Sequence, residues 1–332
     1  MISRITLDFK ISNCQYRCMH CDGAKNDICG EMPLSKIKEV AYKFLEHRGS
    51  LLENLFVFIS DSAFLYGEYI ELLEFIEANN IRYKKEPING VRFDRMFYTS
   101  IFPKIAVSSL DTVRISLFGM EANHNRFAGY NRSFGELMRF AKDFNDLNKE
   151  LIFHLYLTPN SIGDIETIEN YISAEFNRYS ITYEYSNCYK DNYSKRANFL
   201  LPISQKKTAK KYGFSLVTEA ELKEECIKKV PKLWHNNLWL RVFSNGDCRV
   251  AIFPLGEFHS IGNVHYDSAE TIINKSIQRI QHVEKELPSF EWFIDNYFDE
   301  GDPYLYAPSD ALNLWWARSN GPPGSVDLQG QD

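Results

Sequence analysis

Short apolar runs and helical apolar stripes alternate along the first two thirds of the chain. Arg4 to Ser12 (RITLDFKIS) and Asn54 to Ser60 (NLFVFIS) have the length and content of strands. Between them Ile37, Val40, Ala41, Phe44 and Leu45 recur at helical spacing behind Ser35, which predicts a serine-capped helix. Tyr66, Tyr69, Ile70, Leu73 and Ile76 make a second stripe. Arg95 to Ser100 (RMFYTS) and Thr112 to Phe118 (TVRISLF) read as the next strands. Ser133 and Glu136 have capping-box spacing ahead of Phe134, Leu137, Met138, Ala141 and Phe144. Leu151 to Thr158 is almost continuously apolar, as a strand covered on both faces is. A helix around Asp164 to Ala174 and a strand at Ser180 to Ser186 complete the series.

Alternation of this kind predicts an α/β fold with a parallel sheet. Right-handed crossovers would wind about six βα units into a partial (β/α)6 TIM-like barrel over residues 1–190. Residues 191–225 are polar and rich in Lys, Glu and Asn, a connection with one amphipathic helix. A different pattern follows. Leu238 to Phe253 looks like two strands joined through Asn245-Gly246, a strong hairpin signal, and a helical stretch runs from Ala269 to Lys285. Residues 226–300 are therefore expected to form a small α+β domain. Residues 301–332 read as a C-terminal extension ending in a tail, GPPGSVDLQGQD, with no core-forming content.

Composition narrows the partners. The 332 residues carry a net charge of -6, whereas nucleic acid and anionic membranes select for basic surface, so neither is expected as a partner. No apolar run approaches the roughly 18 residues of a membrane helix. MISRITLDFK lacks the apolar region of a secretory signal, and a cytoplasmic protein is expected. The 19 Tyr and 24 Phe suit a large core or a ring-walled cavity.

Three of the seven cysteines, Cys14, Cys18 and Cys21, crowd into NCQYRCMHCDG, directly after the first predicted strand. In a reducing compartment such thiols serve metal or chemistry. Structural cysteines would not be flanked by so many polar residues. A zinc site would need a fourth ligand, which His20 or a distant cysteine could supply. An iron–sulfur cluster held by three thiolates would keep one iron open to a substrate or cofactor. Barrel chemistry sits at the carboxyl ends of strands, where this loop lies.

Cys14-x-x-x-Cys18-x-x-Cys21 resembles the CxxxCxφC signature of the radical S-adenosylmethionine (SAM) enzymes, with His20 at the position φ that usually packs near the adenine. The resemblance implies a [4Fe-4S] cluster on the three cysteines, with SAM on the open iron. It also implies a flavodoxin- or ferredoxin-type electron donor and a 5′-deoxyadenosyl radical that takes a hydrogen atom from the substrate. Where the family often has Gly-Gly-Glu after its second strand, this chain has Ser60, Asp61, Ser62 and Ala63, a departure at a SAM contact. Thr112 to Phe134 is similar to the family's fourth-strand segment in Arg114, Ser116, Gly119, His124, Gly129 and Phe134. That likeness makes Arg114 and Ser116 candidates for the SAM ribose and carboxylate. Asn160, in LYLTPNS, is a candidate from the fifth strand.

Cys226, Gly246, Cys248 and Ile261-Gly262-Asn263 resemble the twitch or SPASM extension of many radical SAM enzymes, but no cysteine follows Cys248. Two thiolates do not complete a four-cysteine auxiliary cluster, although Cys188 could add a third. Cys248 is then a candidate hydrogen-atom donor, against the alternative of a small buried hydrophobe. The expected substrate is a small natural product such as an amino sugar, or a short peptide. Epimerisation or rearrangement with Cys248 as donor is the first expectation. A dehydrogenase or peptide-crosslinking enzyme with an auxiliary cluster is the second, and a non-catalytic zinc module is the reading from another class.

Overall fold

Ile5, Leu7 and Phe9 lie on one face of the first strand and Thr6, Asp8 and Lys10 on the other, and this division organises the molecule. The computed structural model describes residues 1–10, 15, 16, 18, 19, 30, 32–59, 63–83, 91–185, 190–228, 233, 236–253, 255, 257–308 and 311–319.

Strand β1 (Ile2–Lys10) runs parallel to β2 (Leu52–Ile59), which pairs in parallel with the short β3 (Arg82–Tyr83). A second parallel sheet holds β4 (Thr112–Leu117), β5 (Glu150–Leu157) and β6 (Tyr179–Tyr185) in that order. Each strand sends its apolar set outward under helices. Ile5, Leu7 and Phe9 join Leu55 and Val57 beneath α1 (Leu34–Leu45) and α2 (Tyr69–Ala78). Ile115, Phe153 and Leu155 enter the same apolar cluster as α6 (Ser133–Asp146) and α7 (Ile165–Glu175). The inward positions are mostly polar or aromatic, among them Asp8, Phe58, Arg114, Ser116, His154 and Glu184, with Ile152 an apolar exception. This is a partial barrel with a polar lumen.

Several local expectations are corrected. RMFYTS is not a strand but α3 (Arg95–Ser100), because Asp94 caps it (Phe97 N–H to Asp94 Oδ1, 3.1 Å) and Phe97 is buried against Phe93 and Phe140. It is followed by α4 (Phe102–Val107). Ser35 is no cap: the helix begins at Leu34, whose N–H donates to Glu68 Oε2 at 3.0 Å. Nor does Ser133 form a capping box, since its hydroxyl meets His124 and Glu136 accepts from the Tyr130 phenol at 2.7 Å. Strand β5 alternates buried and half-buried residues, because its inner face borders the lumen rather than a second helical layer.

Downstream, β7 (Asn237–Phe243), β8 (Asp247–Ile252) and β9 (Glu257–Asn263) form an antiparallel meander, with the expected Asn245-Gly246 turn between the first two. Gly246 has φ +84°, where a Cβ would lie 2.4 Å from the Asn263 side chain. The meander does not stand apart from the barrel: β7 pairs in parallel with β1 from Arg4↔Asn237 to Lys10↔Phe243. The sheet order is β3-β2-β1-β7-β8-β9, which places β1 in its interior. Helix α10 (Ala269–Glu286), capped by Ser268, packs on β9.

A second apolar cluster gathers the segment around Phe199 to Leu201 with α8 (Lys206–Lys211), α9 (Glu219–Lys228), α11 (Phe290–Tyr297) and α12 (Ala311–Ser319), which comes after α5 (Glu121–Ala128) in the chain. The stretch expected to be an extension thus supplies core residues, Trp315 above all. The GPPGSVDLQGQD tail lies outside the described residues. Among the described residues, no helix is long and apolar enough to cross a membrane.

Candidate active site

The loop after β1 is tied down on several sides. Cys14, His20 and Cys21 lie outside the described residues, as do Ser60, Asp61 and Ser62. Tyr16 is buried, donates its phenol proton to the Val91 carbonyl (2.9 Å) and packs its ring 5.6 Å from that of Tyr130. Gln15 Oε1 accepts the Arg92 N–H at 2.7 Å. The Met19 N–H donates to the Phe127 carbonyl at 2.9 Å, and the Gly30 N–H to Ser244 Oγ, beyond β7, at 3.2 Å. Among the described residues, these contacts tie the loop to the segments around Val91, at the end of α5 and just beyond β7.

Cys18 is half-buried and packs with Met19 against the cluster that contains Phe118 and Phe127. Tyr156 of β5 is its neighbour in the lumen, near enough for a negative charge on Cys18 to act on the phenol. Burial and then the Glu184 carboxylate push the Tyr156 phenol up to about 12, opposed by Arg114 and by a hydrogen bond with Ser116. At neutral pH Tyr156 is therefore an uncharged phenol. Arg114 and Ser116, singled out in the sequence, thus meet Cys18 around a tyrosine that the sequence did not single out.

A rigid turn ends β4. Gly119 adopts φ +119°, and a Cβ there would lie 2.6 Å from Asn123 Cβ. Asp164 Oδ2 accepts from the Met120 N–H (2.9 Å) and from Asn123 Nδ2 (2.7 Å). The buried His124 accepts the Phe118 N–H on Nδ1 at 3.3 Å, so Nε2 carries the proton and faces Ser133 Oγ at 2.9 Å. Its desolvated ring is pushed down to about 3 and stays neutral. Asn160 is exposed, and its carbonyl accepts from Asn123 at 2.9 Å, so the structure gives it a part in this turn.

The donor chemistry fits an iron–sulfur cluster. A soft thiol, Cys18, is held on a loop that carries two more cysteines, and it and the Arg114 guanidinium both act on the Tyr156 phenol. Among the described residues, no three His, Cys, Asp or Glu side chains gather at a metal-binding spacing.

No protein-family model matches the sequence, and no curated protein matches it. Solved structures do match. The chain aligns with anSMEcpe bound to AdoMet and the Cp18Cys peptide at a TM-score of 0.53 and 16% identity, over 96% of this chain and 94% of that one. It aligns with Streptococcus suis SuiB bound to S-adenosylmethionine at 0.52 and 13% identity, over 89% and 70%. SuiB bound to the precursor peptide SuiA gives 0.51 and 12% identity, over 87% and 68%. The fold is that of the radical SAM enzymes.

In this radical SAM fold the two downstream cysteines are corrected to core positions. Cys248 pairs with Val242, one step from the Arg241↔Arg249 pair, so it points to the face opposite Arg241. It is fully buried with Leu240 and Ile252 in the outer apolar cluster, and burial, reinforced by Asp247 and Asp267, pushes its thiol up. A hydrogen donor must face the lumen, and Cys248 does not. Cys226 is buried in the other apolar cluster, where burial pushes its thiol up to about 11. The two thiols do not converge on a shared ligand site, and Cys188 lies outside the described residues.

What sequence reasoning missed is on the opposite wall. Asp8 is fully buried on the lumen face of β1, and its Oδ2 accepts from Trp239 Nε1 at 3.0 Å and Arg241 Nε at 3.1 Å. The available signal was a lone carboxylate at the centre of the apolar run RITLDFKIS.

Proposed function

We propose that this chain is a radical SAM enzyme that takes a hydrogen atom from a short peptide. The observation that carries the reading is Cys18 on the mouth loop, set against a lumen wall of Arg114, Ser116 and Tyr156. Cys14, Cys18 and Cys21 would hold a [4Fe-4S] cluster, with SAM on its open iron. Bound together and reduced by a flavodoxin- or ferredoxin-type donor of the cytoplasm, these groups would supply a 5′-deoxyadenosyl radical.

The chain's own residues bind and enclose. The Arg114 guanidinium would offer a cation to the SAM carboxylate, and Ser116 a hydroxyl on the same face of β4. Tyr156 stays protonated and adds no charge to the lumen. Phe118, stacked on Phe127 at 4.2 Å and 4.9 Å from the Tyr156 ring, keeps water from the wall. A peptide is favoured over an amino sugar because the same fold holds a peptide in anSMEcpe and in SuiB. With Cys248 turned outward, epimerisation has no identified donor, and the separation of Cys226 from Cys248 argues against an auxiliary cluster between them.

Anaerobic reconstitution tests the reading. The protein should bind about four irons per chain, absorb near ~400 nm and release 5′-deoxyadenosine from SAM under dithionite. Cys18→Ala should lose most of the iron and cut that release at least about a hundredfold. A colourless, zinc-loaded protein without SAM cleavage would sink it.

A further inference from the structure

We propose that Asp8 and Arg241 form an anchor for one backbone amide of the peptide substrate, a proposal that rests on the peptide reading above. Asp8 is a completely buried carboxylate with only one oxygen satisfied. Oδ2 takes both the Trp239 indole and the Arg241 Nε, while Oδ1 has no hydrogen-bond partner. A buried acceptor left this way keeps its desolvation penalty without a bond to offset it, the more so when charged. Other buried polar atoms of the described residues are unpaired too, but this one is a carboxylate oxygen on the lumen face of β1, and a donor from outside the chain would satisfy it.

Its neighbour defines the other half. The Arg241 guanidinium lies 3.9 Å over the Phe258 ring and commits Nε to Asp8, and its side chain is 25% exposed. Its two Nη groups enter no hydrogen bond among those of the described residues. One unsatisfied acceptor thus sits beside unsatisfied donors on a single rigid pair. A carboxylate or phosphate would meet repulsion from Oδ1, and a simple ammonium would meet repulsion from the guanidinium. A peptide unit carries one N–H and one C=O on a plane, and it satisfies both. The N–H donates to Asp8 Oδ1 and the C=O accepts from Arg241 Nη. Phe58, 5.5 Å from the Trp239 ring, and Phe253, 6.0 Å from it, supply apolar flanks for the neighbouring side chains.

The register supports a rigid site. Asp8 pairs with Arg241 and Phe58 across three adjacent parallel strands, β2, β1 and β7, so the anchor is fixed by the sheet rather than by a loop. It stands on β1, which leads into the cysteine loop, and therefore holds the peptide on the wall below the barrel mouth.

The test needs no turnover. Reconstituted protein with SAM is titrated anaerobically with a library of N-acetylated, C-amidated tetrapeptides, and quenching of tryptophan emission is followed. Trp239→Phe identifies the share of the signal that comes from the anchor. The tightest tetrapeptide is then remade with each amide N–H replaced in turn by an ester oxygen. One position is expected to lose about tenfold or more in affinity, the size of a hydrogen bond to a charged group. Asp8→Asn should erase most of that amide-over-ester preference, and Arg241→Met should weaken the parent peptide about tenfold or more. Because Asp8→Asn alters a buried group, Arg241→Met at the partly exposed partner keeps the test valid if the first variant fails to fold. Four results would overturn the anchor: no tetrapeptide binding, ester replacement without effect at every position, full amide preference in folded Asp8→Asn, or unchanged affinity for the parent peptide in Arg241→Met. Loss of SAM cleavage in the wild type would instead overturn the enzymatic reading, while leaving this binding result standing.

Discussion

His124 shows how a residue that matches a catalytic-looking motif can serve the backbone instead. Its ring links the end of β4 to the start of α6, accepting from Phe118 and facing Ser133 in a fully buried setting. That setting has a pH signature. In the unfolded chain the imidazole takes a proton near 6.5, whereas in the folded protein it resists until about 3. Protonation therefore favours unfolding, and the full contribution is present only above pH 6.5. Below it, stability should fall by up to about 1.4 kcal/mol per pH unit from this group alone. Urea unfolding of wild type and His124→Gln between pH 4 and 7 measures it: the wild-type curve should be the steeper one. Cys248 teaches the converse lesson. Its isolation from other cysteines was legible in the sequence, but its direction depended on which face of β8 meets the helices, and only the pairing with Val242 decides that.

Among the elements, α12 is the one that the sequence pattern concealed. Leu314, Trp315 and Trp316 lie next to one another and show no clear stripe, because the helix is covered almost all round. Its lock is ionic. Arg318 donates to Glu219 Oε1 and Oε2 at 2.5 and 2.8 Å and to Asp302 Oδ2 at 2.6 Å, and both carboxylates are buried. Trp315 adds a hydrogen bond to Glu219 at 3.0 Å. Arg318→Met would leave two buried carboxylates with no counter-charge and should cost about 3–5 kcal/mol in chemical denaturation. The strands with strong period-two or continuous apolar runs, β1, β2, β4, β5 and β6, were legible to within a few residues. RMFYTS was not, since six residues with only Met96, Phe97 and Tyr98 apolar or aromatic fit either period, and Asp94, one residue outside them, decides for helix. Ser133 failed as a cap for a similar reason. Its competitor, His124, is close in sequence, but it reaches the hydroxyl only once α5 and α6 are folded against each other.

At the scale of the molecule, the barrel and the downstream meander share one sheet. Removing residues after 190 would strip β7 from β1 and expose an interior strand edge flanked by Leu7 and Phe9. A 1–190 fragment is therefore expected to be insoluble or molten, with near-ultraviolet circular dichroism lost, where a self-contained barrel would stay soluble and structured. The sequence pattern changes at about residue 226, while α9 runs through that point from Glu219 to Lys228. What no local pattern could show is a pairing between strands more than 230 residues apart, Arg4 with Asn237. The Asp8–Arg241 anchor was hidden by the same distance.

That pairing also sets a timetable. During synthesis β1 emerges first, but its neighbour β7 leaves the ribosome only after another two hundred or so residues, and Ser244, which holds Gly30, comes later still. Long-range contacts of this kind form slowly, and a lone strand edge waiting for its partner attracts chaperones or other chains. The cysteine loop therefore reaches its tethered form only after β7 and Ser244 have been made, and a nascent chain that stops short of them would lack both the strand beside β1 and the tether at Gly30.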